Sequence, residues 1–112
     1  MKKIFIEIKT TYPNSAQGKK LAKNLTKILL DKKLAACVQF LPIESMYVWE
    51  GKIENKREIL VSIKSKNSLY KKIEKTIKEH HIFEIPQIFL TRIDRGFMPY
   101  LNWIDSSIKN QK

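Results

Sequence analysis

Cysteine is nearly absent from this chain of 112 residues. Cys37 stands alone, so no disulfide can close within the chain, and a reducing, cytoplasmic setting is the expected one. Glycine is scarce too. Gly18, Gly51 and Gly96 are the only three, and none lies in a phosphate-cradling loop or a nucleophile elbow. Arginine supplies 3 of the 22 basic residues and lysine the other 19, so the net charge of +11 reads as lysine spread over a solvated surface. With no basic motif interleaved with aromatics, no nucleic-acid partner is expected. No apolar run approaches the roughly 18–20 residues of a membrane span, and Glu7 falls where a signal peptide would stay apolar. No membrane partner is expected.

What is present is periodicity. Residues 3–11 alternate Ile4, Ile6 and Ile8 against Phe5, Glu7 and Lys9, the pattern of a half-buried strand. Asn14 or Ser15 then caps a helix running to Lys33, with Leu21, Leu25, Ile28 and Leu29 at helical spacing. Residues 35–50 form a second strand, which Pro42 marks as bent, bulged or at an edge. A turn at Glu50-Gly51-Lys52 leads to a third strand over residues 56–66. Asn67 or Ser68 caps a second helix carrying Leu69, Ile73 and Ile77, which ends near His80-His81. Residues 87–94 are a fourth strand, and Pro99 opens a last helix with Leu101, Ile104 and Ile108. The order βαββαβ predicts an α+β, ferredoxin-like split-βαβ fold with a long central hairpin and a C-terminal helix, in one domain over residues 1–112.

The hairpin is too long for its body. Sixteen residues, 35–50, extend roughly 50 Å as a strand. A globule of this size is only about 35 Å across. The tip carries Tyr47, Trp49 and Ile53, and an isolated two-stranded ribbon is marginal in water. Pairing with sister subunits in a closed ring resolves both problems, and it also covers an open sheet face holding Phe5, Leu60 and Phe89.

Several segments together resemble the CutA divalent-cation tolerance family. Tyr47-Val48-Trp49-Glu50-Gly51-Lys52-Ile53-Glu54 is similar to its Y-x-W-x-G-K-x-E hairpin, and Leu34-Ala35-Ala36-Cys37-Val38 to the start of its second strand. His81-Ile82-Phe83-Glu84-Ile85-Pro86-Gln87-Ile88 resembles H-P-Y-E-x-P-E-I, and Tyr100-Leu101-Asn102-Trp103-Ile104 resembles the closing Y-L-x-W-I/L. Thr11-Tyr12-Pro13 followed by Ala16 resembles the first strand-to-helix turn. The resemblance implies a ferredoxin-like, mainly cytoplasmic homotrimer linked to divalent-metal tolerance, with copper as a metal some members bind. The chain departs from the pattern at Ile82, Phe83 and Gln87. Thr10 stands where some members carry a cysteine ligand, and a hydroxyl is a far poorer ligand for a soft metal.

The candidate metal ligands are His80 and His81, the only histidines, with Glu84 able to add an oxygen. Adjacent helical residues diverge, so the two imidazoles converge only where the helix ends; the alternative is a histidine bonded to the last helical carbonyls. Cys37, flanked by Ala36 and Val38, reads as a small buried hydrophobe more than as a thiolate ligand. Trp49, Glu84 and Tyr100, with Tyr47, Phe83 and Trp103, are candidates for an inter-subunit cleft or for plain interface packing. Glu50, Lys52 and Glu54 either ring that cleft or solvate the turn. No motif of enzymatic chemistry appears beyond the chance pairing of Glu84 with His81, so no catalysis is expected. Three function classes follow: a trimer acting in metal tolerance, a trimeric regulator sensing a small molecule in clefts between subunits, and a purely structural trimer that scaffolds a partner.

Overall fold

A computed structural model describes residues 3–109. The elements are β1 (Phe5–Pro13), α1 (Ala16–Asp31), β2 (Cys37–Trp49), β3 (Lys52–Lys66), α2 (Tyr70–Glu79), β4 (Phe89–Ile93) and α3 (Met98–Ser107). The four strands form one antiparallel sheet in the order β2-β3-β1-β4, the ferredoxin-like arrangement.

The alternation read from the sequence sets the two faces. Ile6, Ile8 and Tyr12 on β1 and Ile59, Val61 and Ile63 on β3 are buried with Leu25 and Leu29 of α1 and Ile73 and Ile77 of α2. Leu101, Ile104 and Ile108 join the same core from the C-terminal helix. Asp105 ties α3 down by accepting hydrogen bonds from Lys3 (2.6 Å) and Lys66 (2.7 Å). Phe5, Leu60 and Phe89 share the opposite sheet face, as the register shows through Phe5↔Lys66, Thr11↔Leu60 and Lys9↔Phe89.

Local chemistry explains the helix ends. Ser15 is the N-cap of α1, its Oγ accepting from the Gly18 N–H at 3.1 Å. At the other end Leu34 N–H reaches Leu29 O (2.9 Å) and Lys33 N–H reaches Leu30 O (3.0 Å). This is a Schellman closure with Lys33, at φ 56°, where glycine is usual. The second helix corrects the sequence reading: Asn67–Leu69 form a 3₁₀ turn, and no side chain caps α2. The last strand is also shorter than expected, ending its pairing with β1 at Lys9↔Phe89. Cys37 lies half-buried on the face away from the helices, opposite Lys64, so it is not part of the core.

The hairpin is longer than the sequence suggested, because β3 starts at Lys52. β1 accompanies β3 only as far as Pro13↔Glu58, whereas β2 and β3 continue from Glu44↔Arg57 to Trp49↔Lys52. That outer ribbon pairs with no other strand among the described residues. The chain is stretched to 46 Å along its long axis against 26 and 22 Å across. The tip is a two-residue turn with Glu50 at φ 51° and Gly51 at φ 78°, the left-handed pair that matches the twist of a hairpin. Pro42 sits on β2, which is the edge strand, where a missing N–H is tolerated.

Thr10 occupies the helix-facing side of β1, opposite Val61. It is 0% exposed, and its Oγ1 has no hydrogen-bond partner among the described residues. An orphaned buried hydroxyl forfeits its hydration, a cost of about 1–3 kcal/mol. Thr10→Val, which keeps the shape, is expected to raise stability by about 1 kcal/mol in urea unfolding. A lower midpoint in the variant would show that the hydroxyl has a partner.

Candidate functional site

Because β4 pairs only as far as Lys9, the far end of β1 has lost its strand neighbour on that side. Residues 81–87 fill the gap. His81 donates from Nε2 to the Thr11 carbonyl (2.7 Å), accepts the Phe83 N–H at Nδ1 (3.1 Å) and stacks on Tyr12 with ring centroids 4.2 Å apart. A carbonyl only accepts and an amide N–H only donates, so these partners assign the neutral Nε2–H tautomer. Burial holds the His81 imidazole below its ordinary pKa, against the opposing pull of the Thr11 carbonyl and the Glu58 carboxylate. Tyr12 completes the anchor by donating to the His80 carbonyl at 2.9 Å. Burial pushes its own pKa up to about 12.

His80 follows the alternative foreseen for a histidine at a helix end. It is the C-cap of α2, and its Nδ1 donates to the Thr76 carbonyl at 2.9 Å. The two rings thus serve different elements. His81 has both nitrogens committed, while Nε2 of His80 makes no hydrogen bond among the described residues. No group of three or more His, Cys, Asp or Glu side chains among the described residues is placed to hold a metal ion. Within one chain, then, His80 and His81 do not build a metal centre.

Between the anchored 81–87 segment and the ribbon lies a groove of about 850 Å³. Trp49 and Tyr47 line it from the ribbon, Phe83 and Glu84 from the segment, and Glu54 and Glu58 from β3. Trp49 and Glu84 therefore line one groove within the chain. Tyr100 is not among the lining residues. It stacks on Trp103 at 5.9 Å near Cys37 and Glu7, toward the opposite end of the sheet. Glu50 and Lys52 stay at the ribbon tip, outside the groove. Their neighbour Glu54 does line it and pairs with Lys56 at 3.5 Å.

The residue that sequence reasoning missed is Glu58. No motif or spacing singled it out, yet it is only 7% exposed and lines the groove. The signal was its position, directly opposite Pro13 at the point where β1 stops accompanying β3.

The comparisons agree with this architecture. The model of the CutA1 divalent ion tolerance protein family matches residues 7–107. A divalent-cation tolerance protein CutA from Archaeoglobus fulgidus is 35% identical over 88% of this chain and 93% of its own length. Chloroplastic CutA of Arabidopsis thaliana is 37% identical over 94% of this chain, which spans only 56% of that relative's length. Among solved structures, the periplasmic divalent cation tolerance protein CutA of A. fulgidus superposes with a TM-score of 0.86, covering 94% of this chain and 99% of that one, at 35% identity. CutA1 of Oryza sativa superposes with a TM-score of 0.87 over 96% of both chains, at 33% identity. The match runs through the sheet, all three helices and the ribbon, and the chain belongs to the CutA1 divalent ion tolerance protein family.

Proposed function

We propose that the protein acts in tolerance of divalent cations as a cytoplasmic, non-enzymatic homotrimer. Family membership supports the role, and the unaccompanied ribbon supports the assembly. Met46, Val48 and Ile53 on that ribbon are 68%, 71% and 74% exposed, more apolar surface than a two-stranded hairpin carries alone in water. No helix among the described residues is long and apolar enough to cross a membrane. Metal contact, with copper as the leading candidate, would use Nε2 of His80 together with donors from neighbouring subunits. His81 would have to surrender the Phe83 N–H bond at Nδ1 to ligate, so its part is to hold the groove wall.

Native mass measurement followed by calorimetric titration with Cu(II), Cu(I) and Zn(II) tests this reading. A trimeric mass is expected, with metal uptake lost in His80→Ala. His81→Ala is expected to retain uptake but unfold more easily. A solitary chain at micromolar concentration would overturn the assembly. Uptake unchanged in His80→Ala would overturn the ligand.

A second reading, a regulator that binds a small molecule in clefts completed by assembly, is favoured by one observation. Trp49 and Glu84 line the same groove, whose volume of about 850 Å³ falls in the range of small-molecule sites.

A further inference from the structure

The helix layer stops short of β2. The register places Val38, Phe40 and Pro42 on the helix side of that strand, opposite Ile63, Val61 and Ile59. Those β3 partners are buried, yet Phe40 is 41% exposed and Pro42 is exposed as well. Between β2 and α1 this leaves a groove of about 430 Å³, floored by Ala22, Phe40, Pro42 and Ile59. It shares no residue with the groove beside residues 81–87.

The rim of this second groove is cationic and has no counter-charge. Lys19 and Lys23 stand one turn apart on α1 and both line it. Neither ammonium has an ion pair or hydrogen bond among the described residues. No carboxylate lines the groove, and its remaining polar residue, Asn14, is neutral. The next acidic residue along this face of β2, Glu44, lies opposite Arg57 in the register. Like charges at this spacing disfavour a helix, and close to its N-terminus the dipole favours an anion instead. The first turn of α1 supplies no acidic side chain of its own. An anion held between the two ammoniums answers both demands.

We propose that this groove binds a single-chain amphipathic carboxylate of the fatty-acid type. The alkyl chain lies on Phe40, Pro42 and Ile59, and the carboxylate sits between Lys19 and Lys23. The floor and the rim must be satisfied by one molecule. A neutral apolar ligand would leave two ammoniums unanswered, and a short polar anion would leave Phe40 in water. The methylene stems of the lysines extend the apolar walls up to their charged ends. A volume of about 430 Å³ is near the lower end of small-molecule sites, which suits one chain and not the two of a bilayer lipid.

The test is calorimetric titration of the full chain with decanoate below its micelle-forming concentration, beside butyrate and decyltrimethylammonium at matched ionic strength. Saturable uptake of decanoate at one per chain is expected, with butyrate and the cation each binding at least tenfold more weakly. Lys19→Gln with Lys23→Gln should weaken decanoate binding about tenfold and make it insensitive to salt. Phe40→Ala should weaken it about tenfold through the floor alone. All three positions are exposed, so the variants are expected to fold, and far-ultraviolet dichroism checks that they do. Absence of uptake overturns the proposal. Equal binding of decyltrimethylammonium overturns it too, for the rim would then play no part. Unchanged affinity in either variant places the uptake elsewhere on the chain and has the same consequence. Sedimentation with phosphatidylglycerol vesicles separates the sources of such a ligand. Vesicle binding that needs Lys19 and Lys23, without decanoate uptake, makes a bilayer surface the partner and overturns the single-chain ligand. A native mass that falls in Phe40→Ala shows a second copy of the chain seated in the groove, and also overturns it.

Discussion

Gly18→Ala is expected to destabilise the protein by about 3 kcal/mol, a large loss for a domain of this size. Helix propensity alone argues the other way, since alanine is favoured over glycine in a helix by about 1 kcal/mol. Space decides the sign. A Cβ at Gly18 would lie 1.8 Å from the Pro13 carbonyl oxygen and 2.7 Å from its carbon, and both are backbone atoms that no rotamer change can move. Relief requires shifting the first turn of α1 away from the end of β1. That shift would strain two bonds at once, Ser15 N–H to the Pro13 carbonyl (3.0 Å) and Gly18 N–H to Ser15 Oγ (3.1 Å). Urea unfolding at equal protein concentrations measures the difference. A variant as stable as the parent would mean that the turn yields freely.

The double substitution Val48→Glu with Ile53→Glu is expected to break the proposed trimer, bringing the native mass down to that of one chain, 13.2 kDa. Val48 and Ile53 are directly opposite across the ribbon, so the two carboxylates would repel each other and demand water where a neighbour is proposed to pack. Neither side chain contributes to the core, so the far-ultraviolet dichroism of the sheet and helices should persist. A variant that keeps the trimeric mass would place the contact surface elsewhere.

How much of this was legible in the sequence depended on whether the responsible force was local. Ile4, Ile6 and Ile8 announced a strand, and Leu25, Ile28 and Leu29 a helix, because burial on one face leaves a period. The turn residues Glu50-Gly51-Lys52 gave the hairpin and its tip. The first four residues of β3, Lys-Ile-Glu-Asn, gave no such signal. They extend because β2 pairs with them, and most of their side chains stay in water. Of the residues singled out for a cleft between subunits, Trp49 and Glu84 line this groove of the single chain and Tyr100 lies outside it. Glu58 was invisible for a sharper reason. Its burial comes from residues 81–87 folding over the end of β1, a juxtaposition that no spacing within β3 records.

The sharing of β3 between the sheet interior and the ribbon imposes a rule of parity on how this chain can change length. Glu58 and Ile59 are consecutive and face opposite sides. An odd insertion or deletion in the outer arm that slipped the pairing by one position would swing an isoleucine toward the groove and a carboxylate toward the helices. Balanced changes, matched across the turn or made in twos, leave every side chain on its proper side. Lineages of this fold are therefore free to lengthen or shorten the arm only in such steps, while the segment beside Pro13 stays in phase.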